Sequence, residues 1–133
     1  MLNFIVTMES NYDNELLELR PLVAVELNGE KKEDEQFMHD TLRPILKQNH
    51  DKINAIIKAS KHFNKNELIQ KPISERHLFL KNLMNKNGAL KNLLIGINIG
   101  FFTSEEMKYY LENQTELNKR ISEMVVVRFI SNL

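Results

Sequence analysis

The segment FMHDTLRPIL, residues 37–46, carries the side chains of this chain that are best suited to chemistry. His39 is followed by Asp40, and Arg43 and Pro44 stand one helical turn further on. An imidazole beside a carboxylate can accept a phosphoryl group or bind a metal ion. It can also be a polar residue at the margin of a buried helix face, so three interpretations have to be compared.

The sequence HDTLRPI resembles the phosphoacceptor box of histidine kinases. That box has a histidine, then an acid that assists proton transfer from the imidazole, and a proline that loosens the helix. The match covers about seven residues, its arginine is out of register, and the rest of the chain is too short for an ATP-binding domain. The resemblance therefore implies at most a stand-alone phosphotransfer module, with His39 and Asp40 as candidate catalytic residues.

A metal site is the second interpretation of His39. Glu35 and His39 are four residues apart and share a helical face, as ligands can. The Glu-x-x-His motif of di-iron bundles does not occur in the sequence, however. His39 and His50 are separated by about 16 Å of helical rise, so one ion cannot bridge them. We therefore predict no metal site and no cofactor.

The third interpretation is structural. His39 and His50 fall within about 20° of each other on a helix, beside Leu46, at the edge of the apolar stripe. A histidine in such a place usually satisfies a hydrogen bond at the edge of a core. Arg43 can pair with Asp40 or reach a carbonyl exposed by the proline, so we predict a structural role for Arg43 and Pro44 as well.

Two further motifs predict structure rather than catalysis. Gly96 and Gly100 form G-x-x-x-G in a nearly all-apolar helix predicted over residues 89–101, and we expect them to let another helix approach closely. Thr103 and Glu106 have the spacing of a capping box, in which the threonine caps the first turn and the glutamate returns the bond.

Composition excludes several classes of partner. The chain has 133 residues, with 18 basic residues balanced by 18 acidic ones, so no broad field attracts nucleic acid or an anionic membrane. It has no cysteine, which suits a reducing compartment. The N-terminus lacks a basic leader, and no apolar run approaches the ~20 residues that span a bilayer. We expect a cytoplasmic protein.

Helical periodicity dominates the chain, and glycine and proline are sparse. We predict a single all-α domain over residues 1–133, with an N-terminal arm, a short helix and a connector in 1–32 and a helical bundle in 33–133. The bundle should have four main helices. The first, from about residue 33 to 63, should be kinked at Pro44, because a proline removes one backbone bond and crowds the preceding turn.

The apolar residues of the last helix predict self-association. The run MVVVRFI at residues 124–130 places apolar side chains around much of the last helix, so one side should remain exposed. We expect a homodimer with that helix, including Val126 and Val127, near the two-fold axis.

The segments LLELRP, EQFMHDTLRPILKQNHD, LKNLLIGINIGFFTSEEMKYYLEN and LNKRISEM resemble a family of small uncharacterised bacterial helical proteins, over residues 15–128. The family pattern includes Leu42, Arg43 and Pro44 but not the histidine. Some members carry an automatic glyoxalase label, which would imply metal-binding residues on βαβββ units. This sequence shows neither those strands nor their repeat.

We therefore expect a non-enzymatic cytoplasmic protein that binds itself and an unknown protein partner. The alternatives are a phosphotransfer module that uses His39 and, by family label only, a glyoxalase-like metal enzyme.

Overall fold

The computed structural model of this protein describes residues 12–21 and 33–133. Most of the arm and connector predicted in 1–32 lies outside these residues.

The fold is all-α, as the sequence predicts, and residues 12–21 and 33–133 contain no strand. The helices follow one another along the chain as α1 (12–19), α2 (Glu33–Phe37), a π-helical turn (Met38–Leu42), α3 (Arg43–Gln48), α4 (His50–Ala59), α5 (Lys65–Gln70), α6 (Ile73–Lys86), α7 (Gly88–Ile99), α8 (Ser104–Glu112) and α9 (Gln114–Ser131). They are shorter and more numerous than the four main helices expected. Within the described ranges, none combines the length and the apolar character of a bilayer-spanning helix.

The predicted kink takes the form of the π-helical turn. Arg43 N–H donates to the carbonyl of Met38, five residues back, and Pro44 lies in the first turn of α3. A proline has no N–H to give, and its ring clashes with the carbonyl four residues before it in a regular helix. Widening the turn removes that clash, which explains why the bulge directly precedes Pro44.

Two long predicted helices are divided at asparagines. The first ends at Asn49, between α3 and α4, and the last at Asn113, between α8 and α9. Asparagine side chains compete for backbone hydrogen bonds and disfavour helix interiors. Asn49 is buried, and its side-chain amide donates to Asn98 Oδ1 over 3.2 Å.

The junction of α6 and α7 corrects another expectation. The sequence predicts a left-handed stop at Asn87 and Gly88, but Asn87 has a φ of −115° and α7 begins at Gly88. The Asn87 side chain instead caps α7 by accepting from Leu90 N–H at 3.1 Å. Among the described non-glycine residues, His62 has the positive φ, at 70°.

The chain divides into two compact units. Unit 1 comprises Met1–Asn49 and Asn98–Gln114, and unit 2 comprises His50–Ile97 and Thr115–Leu133. No glycine-rich or proline-rich linker marks this division in the sequence.

Unit 1 is built around aromatic side chains. Phe37 of α2 and Phe102 meet edge to face, with 5.5 Å between ring centroids, and Phe102 meets Tyr110 of α8 at 5.7 Å. These arrangements suit the ring quadrupoles. The aliphatic residues of unit 1 that are almost completely buried come from the π-helical turn and α3 and are Leu42, Ile45 and Leu46.

Unit 2 has an aliphatic core. Along α9, buried residues recur every four positions, which aligns one face of the helix with the core. They are Leu117, Ile121, Val125 and Phe129. The last of them meets Phe63 edge to face at 5.7 Å.

Candidate functional site

His39 lies in the π-helical turn and is partly buried, whereas Asp40 beside it is exposed. The guanidinium of Arg43 contacts the ring, with 3.3 Å between Nη1 and His39 Nδ1. Because a guanidinium only donates, this contact is a hydrogen bond when His39 Nδ1 is the acceptor. The pairing of Arg43 with Asp40 that the sequence suggested does not occur.

The surroundings of His39 offer little support for a role in catalysis or in metal binding. The positive charge of Arg43 opposes a cation at the nitrogen it contacts. Across residues 12–21 and 33–133, no three histidine, aspartate or glutamate side chains lie close enough together to bind one ion. The same residues are helical, whereas a glyoxalase label would imply strands that carry the metal ligands.

His50 has the structural role expected of a histidine at the edge of a core. Arg128 Nε donates to its Nδ1 over 3.2 Å, and the Asn54 amide group lies 3.1 Å from its Nε2. Both ring nitrogens therefore have polar neighbours within unit 2.

A cluster of polar side chains in unit 1 surrounds Glu106. The sequence predicted only the capping box within this cluster. The predicted capping box is present, since the Glu106 N–H donates to Thr103 Oγ1 at 3.3 Å and Thr103 N–H donates to Glu106 Oε1 at 2.8 Å. Two more side chains bind the same carboxylate. Arg20 donates through both terminal nitrogens, at 2.8 Å from Nη1 to Oε2, and Thr41 donates at 2.7 Å.

Glu106 is held as a carboxylate by these donors. Burial alone would raise its pKa, but the hydrogen bonds from Arg20, the Thr103 amide and Thr41, together with the Arg20 charge, lower the pKa below its usual value. The Arg20 side chain is only 9% exposed, and it also donates to the Phe101 carbonyl at 3.2 Å. The cluster ties Arg20, which directly follows α1, and the π-helical turn to the start of α8.

Sequence reasoning did not identify Arg20 or Thr41 as members of this cluster. Arg20 and Thr41 lie 86 and 65 residues away from Glu106 in the sequence, respectively, so no local sequence pattern can reveal these contacts. A signal does exist, because the tripeptide Leu-Arg-Pro occurs twice, at residues 19–21 and 42–44. The structure leaves the side chain of the first arginine 9% exposed and places the second arginine at the surface.

Tyr109 of α8 makes a second link within unit 1. Its hydroxyl donates to Asp34 Oδ1 of α2. The hydrogen bond to Asp34, partial burial and the negative charges of Asp34 and Glu33 raise the pKa of Tyr109 to about 12. The phenol therefore stays protonated at neutral pH and serves as a hydrogen-bond donor.

Among the described residues, nothing makes the close approach predicted at Gly96. A methyl group placed on Gly96 would meet no atom within 4 Å, so no side chain or backbone of the described part packs on it. Gly96 belongs to an outward row of α7 with Ala89, Asn92 and Leu93, and Leu93 is 55% exposed. We call these four residues the α7 face. Gly100 follows the end of α7 and is also exposed.

The last helix contributes less exposed apolar surface than its composition suggests. Val126 is 2% exposed and belongs to the core of unit 2, whereas Val127 is 47% exposed. The outward row of α9 that contains Val127 also carries Lys119 and Glu123. An apolar interface centred on both valines is therefore not available on this helix.

The α7 face is thus the candidate functional surface that this geometry offers. Comparison of the chain with protein-family models, with curated proteins and with solved structures gives no match. The family resemblance in its Leu-Arg-Pro and capping-box segments stays a prediction.

Proposed function

We propose that this protein works in the cytoplasm by binding other protein chains, and that its first partner is a second copy of itself, docked on the α7 face. The single observation that carries this proposal is the open space over Gly96. Within 4 Å of a Cβ position on Gly96, no described side chain would have to move to let a helix of a second copy approach α7.

The chemistry of the α7 face favours a protein partner. None of its four residues is charged, although 27% of the residues of the whole chain are charged. Leu93 offers an exposed aliphatic side chain, and Ala89 and Gly96 add little bulk beside it. Small residues beside one larger apolar side chain allow two helix backbones to pack closely. Two-fold pairing of identical faces is the commonest way in which soluble chains cover such a surface.

Substitution of Gly96 tests the proposal. A Cβ atom added at Gly96 meets no described atom within 4 Å, and leucine has a better helix propensity than glycine by about 0.8 kcal/mol. The variant should fold at least as stably as the wild type and yet lose the ability to pair. We expect light scattering to give about twice the 15.6 kDa chain mass for the wild type and a single chain mass for Gly96→Leu.

A matched pair of variants controls for general loss of apolar surface. Leu93→Lys should also give a monomer, whereas Leu78→Lys should not, although Leu78 of α6 is 59% exposed and outside the α7 face. A monomeric wild type at micromolar concentration, or equal effects of the two lysine variants, would contradict the proposal.

A further inference from the structure

The two compact units differ strongly in charge. Unit 2 carries 12 lysines and arginines against 5 aspartates and glutamates, a net charge of +7, whereas unit 1 carries 6 against 13 and has a net charge of −7. The neutrality of the whole chain, which argued against an anionic partner, therefore conceals one basic unit and one acidic unit. Because charges more than about 8 Å apart are largely screened at physiological ionic strength, a ligand on unit 2 responds mainly to the charges close to it.

A groove of about 560 Å³ in unit 2 concentrates this positive charge. Lys61, which follows α4, and Lys86, in the last turn of α6, line the groove and are both exposed. Neither lysine pairs with a carboxylate among the described residues. A third lysine lies beside the groove, since Lys71 Nζ is 4.6 Å from the ring centroid of Phe79, which lines it. Among the described residues that line the groove, none is acidic.

The groove also carries accessible groups that suit nucleobases. Phe79 and Leu83 of α6 are half-buried, so each keeps apolar surface open to the groove, and Asn82 beside them is exposed. Proteins that bind single-stranded nucleic acid combine cations that follow the phosphates with aromatic side chains against which bases pack. A side-chain amide both donates and accepts hydrogen bonds, as the edge of a base does. The lining of this groove therefore contains more than cations alone.

His62, which lines the same groove, has a strained backbone. Its φ of 70° lies in the left-handed region, which glycine adopts freely and a residue with a Cβ atom adopts at a cost. Such strain is concentrated at ligand-binding sites. The side chain of His62 is exposed, and an imidazole has at least one N–H to donate in either protonation state. The strained residue thus adds a hydrogen-bond donor to the lysines of the groove.

We infer that the groove of unit 2 binds single-stranded nucleic acid. Lys61 and Lys86 contact its phosphates, and Phe79 and Asn82 contact a base. A duplex keeps its bases stacked on one another and offers mainly phosphates to such a surface, so it leaves the apolar part of the groove uncovered. The inference goes beyond self-association and does not depend on it, because the groove and the α7 face have no residue in common.

Fluorescence anisotropy of the full chain with a labelled oligothymidylate of about 20 nucleotides tests this inference. We expect saturable binding at about 50 mM NaCl and an affinity that falls steeply as salt is added, since phosphate contacts release counterions. An abasic oligonucleotide of the same length has the same charge and no bases, and it should bind about fivefold more weakly or less tightly still. A duplex of the same length, polyglutamate and phosphatidylserine vesicles should also bind more weakly than oligothymidylate.

Two pairs of substitutions separate the groove from the general charge of unit 2. Lys61→Gln combined with Lys86→Gln should weaken the affinity for oligothymidylate by about tenfold or more. Lys91→Gln combined with Lys119→Gln removes the same charge from unit 2 outside the groove and should weaken it by less than about threefold. The inference is wrong if oligothymidylate does not bind saturably, if any of the four other ligands binds as tightly, or if the two double variants lose affinity equally.

Discussion

Two arginines in identical tripeptides have different surroundings in this protein. Arg20 of the first Leu-Arg-Pro is partly buried and contacts Glu106, and Arg43 of the second lies at the surface beside His39. The structural role of Arg43 stays a prediction, whereas Arg20 binds the Glu106 carboxylate and the Phe101 carbonyl. The difference is set by the carboxylate that tertiary packing brings to each arginine, because the local sequence is the same.

Replacement of the two arginines should therefore have unequal effects. Arg20→Ala leaves the Glu106 carboxylate without its charged partner and should lower the free energy of unfolding by about 3 kcal/mol. Arg43→Ala removes a surface contact and should change it by less than about 0.5 kcal/mol. Urea unfolding followed by circular dichroism measures both, and similar losses in the two variants would show that the Arg20 cluster is not a special source of stability.

Glu106 should make stability depend on acid pH. Its pKa in the folded chain is lower than the usual 4.5, so the folded state binds a proton at this site less readily than the unfolded state. The stabilisation is fully present above about pH 4.5 and is lost as the pH falls through the lowered folded value. The stability gap between wild type and Glu106→Gln, measured by urea unfolding, should be wide at pH 7 and shrink steadily below pH 4.5.

The neighbouring Glu105 is an exposed residue of the same helix and supplies the control. The free energy of unfolding of Glu105→Gln should depend on pH in the same way as that of the wild type. A Glu106→Gln variant that keeps the same gap at every pH would show that the carboxylate charge contributes nothing.

At the scale of the helices, sequence reasoning worked where a structural signal is local. The capping box at Thr103 and the apolar helix α7 follow from residue types a few positions apart, and both are present. Helix α5 was not predicted, although Asn64 caps it by accepting from the N–H groups of Asn66 and Glu67. It has six residues, too few to show a hydrophobic period.

The features that the sequence did not reveal depend on distant partners. The break at Asn49 is accompanied by a hydrogen bond to Asn98, 49 residues away. The burial of Val126 and the open space over Gly96 likewise depend on which neighbours the fold supplies. Composition alone suggested the last helix as the dimer surface, whereas burial leaves the uncharged α7 face exposed.

The N-cap of α8 gives a prediction at this scale. Thr103→Ala removes the side chain that accepts the Glu106 N–H and should lower the free energy of unfolding by about 1 kcal/mol. Thr103→Ser retains the hydroxyl and should recover most of this loss, as thermal unfolding by calorimetry would show. Equal losses in the two variants would assign the effect to the threonine methyl group instead of the cap.

At the scale of the whole molecule, self-association and stability should be linked. A chain that pairs only when folded gains stability by mass action, so its melting temperature should rise with protein concentration. We expect this rise for the wild type, measured by differential scanning calorimetry over a hundredfold concentration range, and a constant melting temperature for Gly96→Leu. A wild-type melting temperature that does not change with protein concentration would argue against pairing, even if crystals contained dimers.

The π-helical turn before Pro44 has a consequence for how this sequence can change over generations. A turn that closes over five residues is equivalent to one residue inserted into an ordinary α-helix, and the insertion and the proline accommodate each other. Loss of either one alone would leave a clash or an unneeded bulge, so the two are expected to be gained and lost together. A relative whose helix is one residue shorter here should carry a residue other than proline at the position of Pro44.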